Sequence, residues 1–157
     1  MEATNTTPKL IIPALGGLYE RVAGLGVPLI RVAAGVILMP HGAQKLFGWF
    51  GGHGLAGTGG FLAENLGLEP GMLWAFVVGA TEFFGGLMLA LGLLTRPAAA
   101  AIAVLMAVAM FAVHLGNGFF WNNGGYEYPM FWGLVAFAFA LRGGGEMSLD
   151  ARIGREF

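Results

Sequence analysis

The sequence predicts an all-α fold: a four-helix transmembrane bundle with an N-terminal interfacial segment and a short surface helix in the first outer loop. Composition is the first observation behind it. Of 157 residues, 57% are hydrophobic and only 11% charged, and mean hydropathy is +0.72, whereas a soluble domain of this size needs more charge on its surface. Second, apolar stretches approaching the roughly twenty residues that cross a bilayer recur along the chain. Third, cations fall on alternate connections: Lys9, Arg21, Arg96, Arg142, Arg152 and Arg155 lie on one side of the expected spans, and Lys45 alone on the other. By the positive-inside rule this asymmetry puts both termini in the cytoplasm and the two Gly-rich loops outside. The expected setting is a bacterial or archaeal cytoplasmic membrane.

The elements follow in order. Residues 1–8 read as a polar, disordered tail, acidic rather than basic and so unlike a cleaved signal peptide. Residues 10–23 are apolar but interrupted by Tyr19, Glu20 and Arg21, which suits an interfacial segment; together these form an N-terminal region, 1–23. The membrane domain covers 24–142. Its first span is expected at Val27–Phe47, with Pro28 in the first turn, where its missing N–H costs least, and Pro40 kinking the interior. Residues 48–71 form a glycine-rich loop in which Thr58 is expected to cap a short helix, Gly59–Asn65. The second span, Met72–Leu94, carries Glu82 at its middle, with Gly79 and Gly86 on the same face to admit a neighbouring backbone. Thr95-Arg96-Pro97 turns into an Ala-rich third span, Ala98–Leu115. Residues 116–125, with Asn117, Asn122 and Asn123, form a second Gly- and aromatic-rich loop. The fourth span, Tyr126–Leu141, is short. Residues 143–157 read as a charged cytoplasmic tail.

The stretch from Gly24 to Gly48 organises the rest, because it carries Arg31, His41, Gln44 and Lys45 at membrane depth. Ionisable groups there cost several kcal/mol, or roughly that, unless paired or hydrated. At about 100° per residue Arg31, Leu38 and Lys45 nearly superimpose, with His41 on the adjoining strip, so one face must look into the protein. Helical rise places Lys45, Gln44, His114 and Glu127 near the outer boundary, His41 slightly deeper, Glu82 near the midplane and Arg31 nearer the cytoplasm. His41, Gln44, Lys45, Glu82, His114 and Glu127 are therefore the candidate ligand-binding residues. Arg31 and Glu82 are the candidate structural ion pair, if tilt and the long Arg side chain bridge their depths; a ligand or proton role for Glu82 stands beside that. The histidines read either as donors to helix carbonyls or as ligands, but with no attachment motif haem is not expected, nor a metal. The tryptophans Trp49, Trp74, Trp121 and Trp132 read as an interfacial belt, or as a stacking wall for a planar ligand.

Several function classes are excluded. Cysteine is absent, which removes disulfides, thiol catalysis and Cys-ligated clusters. A net charge of −1 with no basic cluster gives nucleic acid nothing to bind. No P-loop, dinucleotide fingerprint or nucleophile triad is present.

The combination of R-x-x-x-G at Arg31–Gly35, HGAQKLFGWFGG at His41–Gly52, Gly57-Thr58, E-x-x-GG at Glu82–Gly86 and LGLLTRPAA at Leu91–Ala99 resembles the DoxX family of small bacterial and archaeal membrane proteins. The likeness covers nearly everything from Val27 to Leu141. It implies a four-helix membrane bundle, a relation to a membrane subunit of a thiosulfate:quinone oxidoreductase, and an association of some members with oxidative-stress membrane complexes. Two functions follow as expectations. One is a quinone-handling subunit, with no intrinsic redox cofactor and hence an electron-donating partner. The other is a non-catalytic scaffold or lipid-binding protein whose polar cluster serves packing and docking. Self-association is left open.

Overall fold

The computed structural model describes residues 8–156, which are helical and joined by turns. The expected disordered tail lies outside the described residues except for Pro8. Three helical stretches are long and apolar enough to cross a membrane: α1 (Pro13–Phe47), α3 (Gly71–Leu91) and α4 (Thr95–Asn117). Between them α2 (Gly54–Leu66) lies in the first loop, and α5 (Glu127–Arg142) and α6 (Leu149–Ile153) complete the chain.

The expected interfacial segment is helical and runs directly into the first span, with no buried residue between Pro13 and Leu25. The helix continues through Pro40 and stops at Gly48, whose φ of +71° is the left-handed conformation that ends helices. The surface helix begins at Gly54, earlier than Thr58 predicted, so Thr58 sits inside it rather than capping it. Its placement comes from tertiary contact: a Cβ on Gly59 would lie 3.0 Å from the Gly71 carbonyl carbon at the start of α3. That close backbone approach outweighs a weak local cap. Helix α3 ends at Leu91 rather than Leu94, because Leu93 N donates to Met88 O and Gly92 N to Leu89 O around Gly92 at φ +68°. These are the paired bonds of a Schellman turn.

The helices form a ring in which α1 packs on α3, α3 on α4 and α4 on α5, while α1 and α5 barely meet. Lipid tails are as apolar as leucine side chains, so burial from water does not drive this packing; close approach of small residues does. Gly35 faces the Gly86 carbonyl, and two turns along Gly42 faces the backbone of Gly79 and Phe83. A Cβ on Gly42 would come within 2.7 Å of the Gly79 oxygen, so α1 and α3 touch backbone to backbone. The core inside the ring is Ala34, Leu38, Leu89, Ala99, Ile102, Met106, Ala136 and Phe139.

The C-terminal region departs most from expectation. It is not a plain charged tail: it folds back over the helix ends, burying Ser148 and Asp150. Ser148 caps α6, its Oγ accepting from Ala151 N at 3.1 Å. The Asp150 carboxylate accepts from Leu94 N, Thr95 N and the Thr95 hydroxyl at 2.8, 2.9 and 2.7 Å, satisfying donors left free at the start of α4. Burial alone would raise the Asp150 pKa. These three bonds and the charge of Arg31 prevail and hold it below the ordinary carboxylate value.

Candidate functional site

A cavity of about 250 Å³ opens inside the ring, lined from α1, α3, α4, α5 and the second loop. His41, Lys45, Glu82 and His114 all line it, so four of the six expected site residues converge. Its remaining walls are apolar and aromatic: Ile37, Leu38, Leu89, Ile102 and Met106, with Trp121, Tyr128 and Trp132 toward the second loop.

The centre of its polarity is an ion pair. Lys45 Nζ donates to Glu82 Oε2 at 2.6 Å, and the Lys45 and Glu82 side chains are 27% and 8% exposed. Lys45 Nζ also lies 3.4 Å from the His41 carbonyl. The direction of this lysine follows from helix geometry. Cα–Cβ bonds tilt toward a helix's N-terminus, so Lys45 projects back over the turn of His41 toward the level of Glu82, instead of outward to water. The Gly42–Gly79 contact brings the two backbones close enough for that reach.

The same rule overturns the expected Arg31–Glu82 pair. Arg31 also leans toward the N-terminus of α1, away from Glu82. Its Nη1 donates to Gly144 O and its Nη2 to Met147 O at 2.8 Å, in the folded-back C-terminal segment. Its Nε is buried without a hydrogen-bond partner among the described residues. Arg31 is a structural cation held by two backbone carbonyls of that segment, and its charge is felt by Asp150 nearby.

Two further residues of the expected set do not join the cavity. Gln44 braces the first loop, its Nε2 donating to Phe50 O at 3.2 Å while Gly52 lies against its backbone. Glu127 accepts from Trp121 N at 3.1 Å through Oε2. It thereby fastens the second loop at the N-terminus of α5, where a carboxylate also suits the helix dipole. Both hold loops in place, and the second of these loops lines the cavity through Trp121, Gly124 and Gly125.

His114 does both of the things weighed for the histidines. Its Nδ1 lies 2.6 Å from Gly124 O, pinning the loop, and its ring lines the cavity. His41 is exposed on the side where α1 and α5 part, as are Ile37 at 46% and Tyr128 at 49%. No cluster of three or more His, Asp or Glu able to hold a metal occurs among the described residues.

Two features are missed or only half seen in the sequence, where the tryptophans read as a belt or as a stacking wall. Helix α3 makes a π-helical turn at Thr81–Gly85, containing Glu82, and α4 makes another at Ala109–His114. Such turns recur at functional sites, and both of these face the cavity. The other is the aromatic wall. Trp121 and Tyr128 stack with centroids 5.4 Å apart and planes 7° apart, and Trp132 lies one helical turn beyond Tyr128. The i, i+4 spacing of Tyr128 and Trp132 was the available signal. Trp49 and Trp74 do not line the cavity, which leaves the belt reading to them.

Comparison with known proteins identifies the family. The family model described as DoxX matches residues 16–115. A Bacillus subtilis protein named "Putative oxidoreductase CatD" is 31% identical over 126 residues, covering 80% of this chain and 85% of that protein. A Haemophilus influenzae protein carrying only the name "Uncharacterized protein" is also 31% identical, over 77% of this chain and 85% of its own length. No solved structure matches.

Proposed function

The chain belongs to the DoxX family, and from that premise we propose that it is a four-span membrane subunit of a redox module, binding a quinone-class lipid in the cavity. The observation that carries the reading is the Lys45–Glu82 pair set, with His41 and His114, in a chamber whose other walls are apolar and aromatic. A planar headgroup fits such walls. Lys45 offers a donor to a ligand oxygen, and Glu82 and His41 offer sites for proton exchange. An isoprenoid tail leaves between α1 and α5, where the ring is open. The name of the Bacillus subtilis relative, an oxidoreductase, supports the class. Electrons come from a partner protein, since the chain itself supplies acid–base groups and aromatic surfaces rather than redox-active thiols.

In this reading α5 is the fourth span. Its 16 residues rise about 24 Å, short of a typical ~30 Å hydrocarbon core, a difference that local thinning accommodates. The charge asymmetry then sets both termini in the cytoplasm and the cavity in the outer half of a cytoplasmic membrane.

A second reading, a non-catalytic scaffold or lipid-binding protein, is favoured by one observation: Lys45 and Glu82 already neutralise each other. Native purification separates the two. The redox reading expects substoichiometric quinone in the solvent extract of wild-type protein, lost on Glu82→Gln or His41→Ala. Quinone content unchanged in both variants establishes the scaffold reading instead.

A further inference from the structure

The hydrogen-bonding roles left open in the cavity distinguish between two forms of a lipid quinone. We infer that the site prefers the hydroxyl-bearing, reduced form, with His114 as the acceptor of the ligand's O–H; this rests on the quinone-class reading above.

The argument begins at Gly124. Its carbonyl oxygen can only accept, and it receives His114 Nδ1 at 2.6 Å and Asn117 Nδ2 at 3.2 Å. His114 therefore carries its proton on Nδ1. In the neutral ring Nε2 is then bare, with a lone pair and no hydrogen. The assignment follows from the partner and needs no observed hydrogen. Since His114 lines the cavity, Nε2 is the polar atom that this ring has left for a ligand.

Lys45 has the complementary role. An ammonium has three hydrogens and cannot accept. One is given to Glu82 Oε2 and one is directed at the His41 carbonyl, which leaves the third for a ligand oxygen. Lys45 and His114 stand on α1 and α4, diagonal helices of the ring, with the cavity between them. The chamber thus offers a donor on one side and an acceptor on the other.

A quinone carries two carbonyl oxygens, both acceptors. It satisfies Lys45 but leaves the His114 lone pair facing an atom that cannot donate. A hydroquinone satisfies both, one oxygen accepting from Lys45 and the other giving its O–H to His114. Sites built to bond a ligand hydroxyl reject analogues lacking it more strongly than apolar pockets reject size differences, because a seated analogue shuts the bonding group off from water and leaves it unpaired.

The test uses wild-type protein in nanodiscs without oxygen, with protein-free discs as the blank for partitioning. The probes are a decyl-substituted 1,4-benzohydroquinone, its bis-methyl ether and the corresponding benzoquinone. The hydroquinone is expected to bind about tenfold more tightly than either analogue, the size of one hydrogen bond. His114→Asn places an amide N–H near the Nδ1 position, keeping the bond to Gly124 O while removing the Nε2 acceptor. It is expected to bring the affinities of the hydroquinone and quinone within about twofold, with the thermal unfolding midpoint as the check on folding. His114→Ala, which removes both bonds, gives the same loss of preference together with a loosened loop. Equal wild-type affinities for hydroquinone and quinone, or a preference that survives His114→Asn, overturn the inference and leave the quinone-class reading standing. Failure of all three probes to bind overturns both.

Discussion

The Lys45–Glu82 pair makes an asymmetric prediction. The two side chains are joined at 2.6 Å but differ in their escape routes: Glu82 is 8% exposed at mid-helix, whereas Lys45 is 27% exposed in the last turn of α1. In Lys45→Met the mostly buried carboxylate loses its partner, with no long stem to carry it to water. Breaking a buried pair in this way costs about 3–5 kcal/mol. In Glu82→Gln the amide still accepts a hydrogen bond, and Lys45 can extend its four-carbon stem past the end of α1 toward water. The expected cost is then about 1 kcal/mol, closer to that of an ordinary hydrogen bond. The double variant leaves no stranded charge and should be more stable than Lys45→Met alone, giving a coupling energy of about 2 kcal/mol in the cycle. Reversible unfolding of the detergent-solubilised protein, followed by tryptophan fluorescence, measures all four corners. Additive losses, or Glu82→Gln proving the costlier single change, refute the reasoning that Lys45 points inward and is the sole party able to withdraw. The cycle of Arg31→Met with Glu82→Gln should be additive, because Arg31 bonds the C-terminal segment instead.

Three other outcomes follow from the fold. Gly42→Leu forces a side chain into the backbone of Gly79 and Phe83 and should cost more than 3 kcal/mol or roughly that, beyond ordinary overpacking, because backbone cannot yield; the same unfolding assay reads it, and a loss under 1 kcal/mol contradicts the contact. The Asp150 carboxyl has a lowered folded-state pKa, so its stabilisation is complete above the ordinary value near 4 and is lost as pH falls through the lowered one. Proteolysis of residues 143–156 should accordingly accelerate at low pH in the wild type, and Asp150→Asn should show fast cleavage already at neutral pH; equal cleavage of both proteins at neutral pH counts against the latch. A reporter fused after Phe157 should be cytoplasmic and one inserted near Gly59 should be outside, and a cytoplasmic Gly59 reverses the proposed orientation.

Membrane character, helical class and the family were legible in the chain itself. Hydropathy is a property summed over neighbours in sequence, and a span longer than the bilayer is visible wherever the sum stays apolar. The glycine spacing of α3 likewise announced a close helix contact, because only a missing Cβ admits a second backbone, although its partner glycines on α1 came only with the structure. Convergence of His41, Lys45, Glu82 and His114 was also readable, since lipid cannot host those groups and depth could be counted along each helix. Which cation meets Glu82 was not. Depth placed Arg31 and Lys45 on nearly the same strip of α1 on either side of the carboxylate, and the choice lay in the tilt of their Cβ bonds, which sends both side chains toward the N-terminus. That tilt turns Lys45 toward Glu82 and Arg31 away from it. Nor could local pattern reveal the backbone carbonyls of Gly144 and Met147 that replace Glu82 for Arg31. A chain reversal after α5 brings them there, and the same reversal positions Asp150 against helix ends more than fifty residues away in sequence. Gln44 and Glu127 show the same limit on a smaller scale: their depth was right, but unsatisfied backbone donors and acceptors in the adjacent loops claimed them first. Pairings of this kind depend on where side chains point and which backbone groups lack partners, and both exist only once the helices have packed.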